Sequence, residues 1–281
     1  MKRHLVTILL VFILLIGLGL ISYPTVADYW NTMHATRAIA NYTEAVSNID
    51  NEKYEQMWHE AEAYNQDLAK TGVNWNPDQA MLERYNSLLD VSGSGIMGYI
   101  EIPDINVALP IYHGTEDTVL QIAVGHIAGS SLPVGGETSH CILSGHTGLS
   151  SARLFTDLDK LKNGDTFLLH TLDETLTYEI DQIHIVWPYE LSDLTLEEGK
   201  DYVTLVTCTP YGVNDHRLLV RGKRVATEEG PLSIRVTGDA LIYDPLMVAP
   251  IVAVPILLVL LVAFLISTGK RSSARKKGAI S

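Results

Sequence analysis

Two uncharged apolar runs stand at the ends of the chain, at residues 5–21 and 246–266. Each approaches the roughly 20 residues that carry a helix across a bilayer. Between them the texture changes twice. From Tyr54 the apolar positions are Tyr54, Met57, Trp58, Ala61, Tyr64 and Leu68, the three- and four-residue spacing of an amphipathic helix. Asp50 can cap the start of that helix and Gly72 can end it. In Asn76-Pro77-Asp78-Gln79, Asn76 is the expected N-cap, Pro77 the first helical residue and Gln79 the reply of a capping box, opening a short helix through Leu89. Ser92-Gly93-Ser94-Gly95 then breaks the pattern.

After Gly95 short β-like runs follow one another. They fall near 98–102, 107–112, 140–144, 166–170, 175–187, 202–208 and 217–225. Turn signals separate them at Pro103-Asp104, at 133–137 and at Asn163-Gly164-Asp165, with a helical turn expected near 155–161. Short strands punctuated this way predict a closed barrel or a sandwich. The run Tyr202 to Cys208 alternates poorly and reads as a strand buried on both faces. No internal repeat or low-complexity segment interrupts the pattern. The expected layout is a membrane anchor (1–27), a helical region (28–94), a β-domain (95–225), a connector (226–245), a second anchor (246–268) and a basic tail (269–281).

Charge orients this layout. Lys2 and Arg3 precede the first apolar run, and Lys270, Arg271, Arg275, Lys276 and Lys277 follow the second. Basic flanks outside both ends predict both termini in the cytoplasm, with the middle across the membrane. A cleaved signal peptide ending at Thr25-Val26-Ala27 is the alternative for the first run, which is longer than a usual signal core. All 33 acidic residues lie from Asp28 to Asp244, against 13 basic ones there, so that stretch carries −20. Such a surface excludes nucleic acid and direct docking on anionic lipid, and suits a partner presenting lysines.

The candidate chemistry is sparse. Ten histidines include no HExxH and no CxxC accompanies them, so no metal site is expected. There is no GxSxG, phosphate loop or dinucleotide fingerprint. The two cysteines, Cys141 and Cys208, are too few for a disulfide framework, and a bridge between them would leave no thiol for chemistry. Cys208 ends one strand and Arg217 opens the next, separated by the eight residues 209–216. If these strands pair, thiol and guanidinium share one rim. A neighbouring cation favours the thiolate, and Arg offers fixed donors to an oxyanion. A buried strand cysteine beside a surface arginine fits the same spacing. A thiol nucleophile also needs a proton carrier, most often His. His146 enters a loop after an apolar strand, His140 stands at that strand's other end, and His216 adjoins Arg217. Periodicity does not choose among the ten. A His at a strand end entering a loop is well placed to line a cleft, with His140 the competitor, and His216 points to the face opposite Arg217.

The stretch TLVTCTPYGVNDHRLLVRG (204–222) resembles the active-site signature of sortases, the cysteine transpeptidases of Gram-positive cell surfaces, and is most similar to the pilus-assembling class C. GIMGYIEIPDINVALPIYHGT (95–115), GHIAGSSLPVGGETSHCILSGHTGL (125–149) and LFTDLDKLKNGDTF (154–167) agree, as do the paired anchors. The resemblance covers about 95–224. It implies a mainly β fold, a closed sortase-type barrel with an N-terminal helical region and two transmembrane helices. It implies Cys208 as nucleophile, His146 as general acid and base, Arg217 as oxyanion stabiliser, and Thr207 as a residue shaping the sorting-signal pocket. Cys141 and His140 match no functional position and are expected to be structural.

The implied reaction cleaves an LPXTG-like signal between Thr and Gly through a thioacyl enzyme and passes the acyl group to a pilin lysine, without metal or cofactor. The implied partners are pilins or surface proteins bearing that signal, at the cell membrane, with the catalytic domain outside. Transfer to cell-wall peptide amines by a housekeeping sortase is the alternative. Release to water by a thiol hydrolase, and an idle binding barrel, are two more. Two departures stand out. Asp215 replaces the usual Ser or Thr before His216, and the lid tripeptide Asp-Pro-Phe or Asp-Pro-Trp is missing. Trp75, in Asn74-Trp75-Asn76-Pro77-Asp78, stands where the lid belongs and could plug the site, or could pack on the preceding helix with the lid shortened or absent.

Overall fold

The computed structural model describes residues 2–227. Of the described residues, 2–27 fall in one compact unit and 28–227 in another. Helix α1 (Lys2–Ser47) is continuous through Pro24. Its segment Leu9–Ser47 is long and apolar enough to cross a membrane, with a mean hydropathy of 2.3 in its most apolar window, none of it buried. The second apolar run, 246–266, lies outside the described residues.

In the second unit, α1 buries Ala35, Ile39, Tyr42 and Val46, one helical face. The Tyr42 hydroxyl donates to the Met97 carbonyl at 3.1 Å and accepts from the Leu172 N–H at 2.7 Å, bolting the helix to the sheet. Helix α2 (Asn51–Thr71) begins where Asp50 accepts from the Lys53 N–H and stops at Gly72, whose φ of 84° suits a residue without a Cβ. Its buried stripe contains Met57, Ala61, Tyr64 and Leu68, as the spacing predicts.

Helix α3 (Gln79–Ser87) differs from expectation at its start. The N-cap is Asp78, which accepts from the Met81 N–H at 2.8 Å. The helix starts two residues later than the Asn76 cap would have it, so Pro77 lies ahead of the cap, and the Asn76 N–H donates to the Asn74 side chain at 3.1 Å. Buried Tyr85 of α3 accepts from the Gly114 N–H and lies 3.0 Å from Nδ1 of fully buried His126.

Eight strands close a barrel: β1 (Ile96–Ile102), β2 (Val107–His113), β3 (Val124–His126), β4 (Ser139–Ser144), β5 (Thr166–Thr171), β6 (Glu174–Val186), β7 (Asp201–Thr209) and β8 (His216–Val225). Their order is β1-β2-β3-β4-β7-β8-β6-β5, with β5 returning to β1. That closure decides for a barrel over a sandwich. Pairing is antiparallel except for β2 with β3 and β4 with β7. Strand β3 has only three residues, too few for a two-residue period to show in sequence.

Alternation along β4, β7 and β8 separates two cores. Cys141, Leu143, Val203, Leu205, Leu218 and Val220 belong to the main core within the barrel. Ile142, Val206 and Leu219 face outward, where Leu194 covers them and Ile127 and Val186 pack alongside. Residues 202–207 of β7 are therefore buried on both faces, as their poor alternation predicts.

Candidate active site

The site is assembled at the C-terminal ends of β4 and β7. In the β7–β8 hairpin Cys208 is the direct partner of Arg217, and Thr209 of His216. Directly opposed residues share a face, and two-residue alternation puts Cys208 and Arg217 on the face of Val206 and Leu219. Thiol and guanidinium thus stand at the end of the outer apolar cluster of Ile142, Val206 and Leu219, which Leu194 covers. The Arg217 guanidinium is steadied from behind, Nη1 donating to the His216 carbonyl at 3.0 Å and to that of Asn214 at 3.3 Å.

The loop leaving β4 runs on beside β7. Ser144 pairs with Val206, and the Gly145 N–H donates to the Val206 carbonyl at 3.1 Å. The Thr207 hydroxyl donates to the Gly145 carbonyl at 2.7 Å. Gly145 leaves room for Phe155: a Cβ there would sit 2.6 Å from the ring. Half-buried His146 follows, brought beside the Cys208 end of β7 by this parallel pairing. The Tyr211 ring, from the loop after Cys208, lies against Gly148, where an added Cβ would be 3.0 Å from it. The loops carrying the histidine and the thiol therefore touch.

The two cysteines are unbridged and differ in setting. Cys208 is partly exposed, whereas Cys141 is only 3% exposed in the main core. Burial, with a further contribution from Asp201, pushes the Cys141 thiol well up, which suppresses the reactive thiolate. Among the histidines, His140 is buried: Nδ1 meets the Thr195 carbonyl at 2.8 Å and Nε2 the Thr204 hydroxyl at 2.7 Å. It ties the segment before β7 onto the sheet, a structural part.

Two residues singled out in the sequence sit apart from the thiol's face. Thr207 points inward. It is 4% exposed, and its partner Leu218 belongs to the main core. Its hydroxyl braces the loop that leads to His146. Trp75 does not cover Cys208. It borders an open cleft of about 760 Å³ with Gln66, Lys70, Thr138, Thr195 and Glu198. Thr138 precedes β4, and Thr195 is held by His140 near that strand's start. His140 pairs with Tyr202, six residues before Cys208, which at a strand's rise is about 20 Å away. The Asn74 N–H, bound to the Gly129 carbonyl at 2.9 Å, fixes this segment there. Trp75 instead shares the cleft with α2 residues.

Asp215 finds a role that the sequence left open. Its carboxylate lies 2.7 Å from His216 Nδ1, and this bond holds its carboxyl below the usual range. The His216 ring packs on Trp187 at 4.1 Å. The pair anchors the hairpin that presents Arg217. Trp187 and Tyr211 escaped sequence reading because each acts across a loop, where no period marks it. Among the described residues no cluster of three or more His, Cys, Asp or Glu could hold a metal ion.

A free thiol thus stands at a barrel strand's end, opposed by arginine and neighboured by a loop histidine. Comparison with known proteins gives the family. A sortase domain model matches residues 100–225. Sortase C1 of Streptococcus agalactiae is 52% identical, with a TM-score of 0.67 over 68% of this chain and 100% of that one. Sortase C of Streptococcus pneumoniae, whose structure was described for its insights into catalysis and pilin substrate specificity, is 40% identical with a TM-score of 0.61, over 69% of this chain and all of that one. Sortase D of Bacillus subtilis is 36% identical over 131 residues, 46% of this chain and 63% of that relative. The chain belongs to the sortase family, the cysteine transpeptidases. Within that family it is a class C sortase.

Proposed function

We propose that this sortase is a membrane-anchored polymerase of pilin subunits, with Cys208, His146 and Arg217 as its catalytic residues. The Cys208 thiolate attacks the Thr carbonyl of an LPXTG-like sorting signal, the Thr–Gly bond breaks, and the acyl group is held as a thioester. Arg217 donates to the oxyanion of the tetrahedral intermediate. His146 gives a proton to the departing glycine amine and later takes one from the incoming amine. That amine is a lysine of the next pilin, so the product is an isopeptide bond.

The observation that carries this reading is the strand register opposing Cys208 to Arg217 at the end of the outer apolar cluster. The partly exposed thiol of Cys208, beside Arg217 at the end of that cluster, is open to an approaching sorting signal. The −20 charge of the 28–244 segment suits a lysine-bearing acceptor. The apolar stretch of α1 supports an anchor that keeps the enzyme near membrane-held substrates, raising their effective concentration. With a second span at 246–268, the catalytic domain stands outside the cell and both termini inside.

The test uses the full-length chain in detergent micelles with an LPXTG-type peptide and two competing amines, a lysine-bearing pilin peptide and a cell-wall-type peptide. Mass spectrometry is expected to find an acyl adduct on Cys208 that resolves into lysine-linked product, and none with Cys208→Ala. Product from Cys208→Ala would refute the assignment. Preference for the cell-wall amine would mark a housekeeping enzyme, and release to water alone a hydrolase.

A further inference from the structure

The segment 145–165 between β4 and β5 carries His146, yet its only regular element is the short turn Leu158–Lys160. It is ordered by contacts. The Phe155 N–H donates to the His146 carbonyl at 3.1 Å, and the Gly148 N–H to the Thr156 hydroxyl at 3.1 Å. Residues 145–148 and 155–156 thus form one folded-back piece, with Phe155 packed on Gly145. Side chains of α1 hold the span that closes this piece, 149–154, by hydrogen bonds. Asn31 Nδ2 donates to the Ser151 carbonyl at 2.7 Å, and the Arg153 N–H donates to Asp28 Oδ1 at 2.9 Å.

Asp28 and Asn31 are three residues apart on a helix and present one face. Together they grip one loop at two backbone groups of opposite polarity, an acceptor and a donor. Beside the grip lies a partly open pocket of about 160 Å³, bordered by Asp28, Asn31, Val107, Leu109, Ile122 and Arg153. Packing is incomplete there, so the loop has room to shift once these bonds are lost. Burial of Ala152 and Leu154 holds its depth, and the bonds to α1 hold its place along the helix.

We infer that Asp28 and Asn31 are positioning residues for His146: the first turns of α1 beyond its apolar stretch set the loop that carries the proton-transferring histidine. The inference rests on the proposed role of His146. The contacts to Ser151 and Arg153, both five to seven residues from His146, act through the Phe155 and Thr156 bonds. Displacement of a reacting group by about 1 Å costs up to about a hundredfold in rate.

Isosteric substitutions in the full-length chain, assayed in detergent micelles with an LPXTG-type peptide and a lysine-bearing acceptor peptide, test this. Asn31→Asp replaces the donor with a carboxylate facing the Ser151 carbonyl. Asp28→Asn keeps an acceptor oxygen for the Arg153 N–H. Asn31→Asp and the Asp28→Ala/Asn31→Ala pair are expected to lower kcat about tenfold or more, leave KM within about twofold, and displace the pH–rate profile. Asp28→Asn is expected to keep most of the activity. A double variant with the parent's kcat and pH profile, beside an inactive His146→Ala, would overturn the positioning role while leaving the proposed function standing. An active His146→Ala would overturn both.

Discussion

The Thr207 hydroxyl gives the sharpest test of how β7 serves the site. It donates to the Gly145 carbonyl at 2.7 Å from a side chain 4% exposed. Thr207→Val keeps the shape and removes the donor. The Gly145 carbonyl then loses this buried partner, a cost of about 1–3 kcal/mol. The Val206 carbonyl still holds the Gly145 N–H, so the loop keeps one anchor and pivots on it. Its next residue is His146.

For a domain of this size about 1 kcal/mol lowers Tm by roughly 2–4 °C, so Thr207→Val is expected to melt roughly 2–12 °C below the parent. Its kcat is expected to fall about ten- to a hundredfold by misplacement of His146, with KM little changed because the hydroxyl faces away from the outer surface. Thr207→Ser retains the donor and is expected to recover most of kcat. Thermal melts and steady-state transpeptidation of the three full-length proteins decide it. A Thr207→Val enzyme with full kcat, or one that loses only KM, would refute the bracing role. The latter would return Thr207 to the substrate pocket.

Other outcomes follow from the same geometry. Trp75→Ala is expected to leave kcat/KM and the rate of Cys208 alkylation by iodoacetamide within about twofold of the parent; a large acceleration would show that Trp75 shields the thiol. In the folded protein, iodoacetamide is expected to modify Cys208 and spare Cys141, whose thiol is buried and held protonated; a Cys141 adduct in peptide mapping would contradict this. Burial lowers His126 from an ordinary 6.5 to about 4, so the unfolded chain binds the extra proton first as pH falls. His126 therefore supports the fold fully above about pH 6.5, and that support fades between 6.5 and 4, by on the order of 3 kcal/mol. Denaturant titrations with His126→Gln are expected to flatten the parent's loss of stability across that window; an unchanged slope would refute it.

Much of this fold is written in local pattern. The α2 stripe and its caps at Asp50 and Gly72 follow from spacing and from Asp and Gly chemistry. The seven longer strands declare themselves by their turns, and the Cys208–Arg217 pairing by a hairpin whose two strands are close in sequence. What pattern did not give is non-local. His146 reaches the Cys208 end because β4 runs parallel to β7, a contact between segments about 60 residues apart that no period encodes. In sequence its place at a strand end and the resemblance point to it, not the period. The two alternatives for Trp75 stay open in the sequence for a related reason: order along the chain fixes that its loop precedes the barrel, not which rim the loop reaches, and Trp75 borders a cleft with α2 residues. Asp78 rather than Asn76 takes the N-cap, a choice between two good caps two residues apart.

The two-residue period of β7 explains why one strand can do so much. Its inward residues Val203, Leu205 and Thr207 fix the strand in the barrel, and the last of them turns its hydroxyl onto the loop of the histidine. Its outward residues Thr204, Val206 and Cys208 secure His140, join the outer apolar cluster and present the thiol. Neighbouring β8 obeys the same period, so Leu218 goes to the core and Arg217 to the thiol. A one-residue slip of β7 would exchange the faces, burying Cys208 and exposing Thr207. Both faces are apolar and packed, so such a slip would cost stability on each. The double burial of β7 is thus the physical reason that Cys208, Arg217 and the His146 loop stay in register.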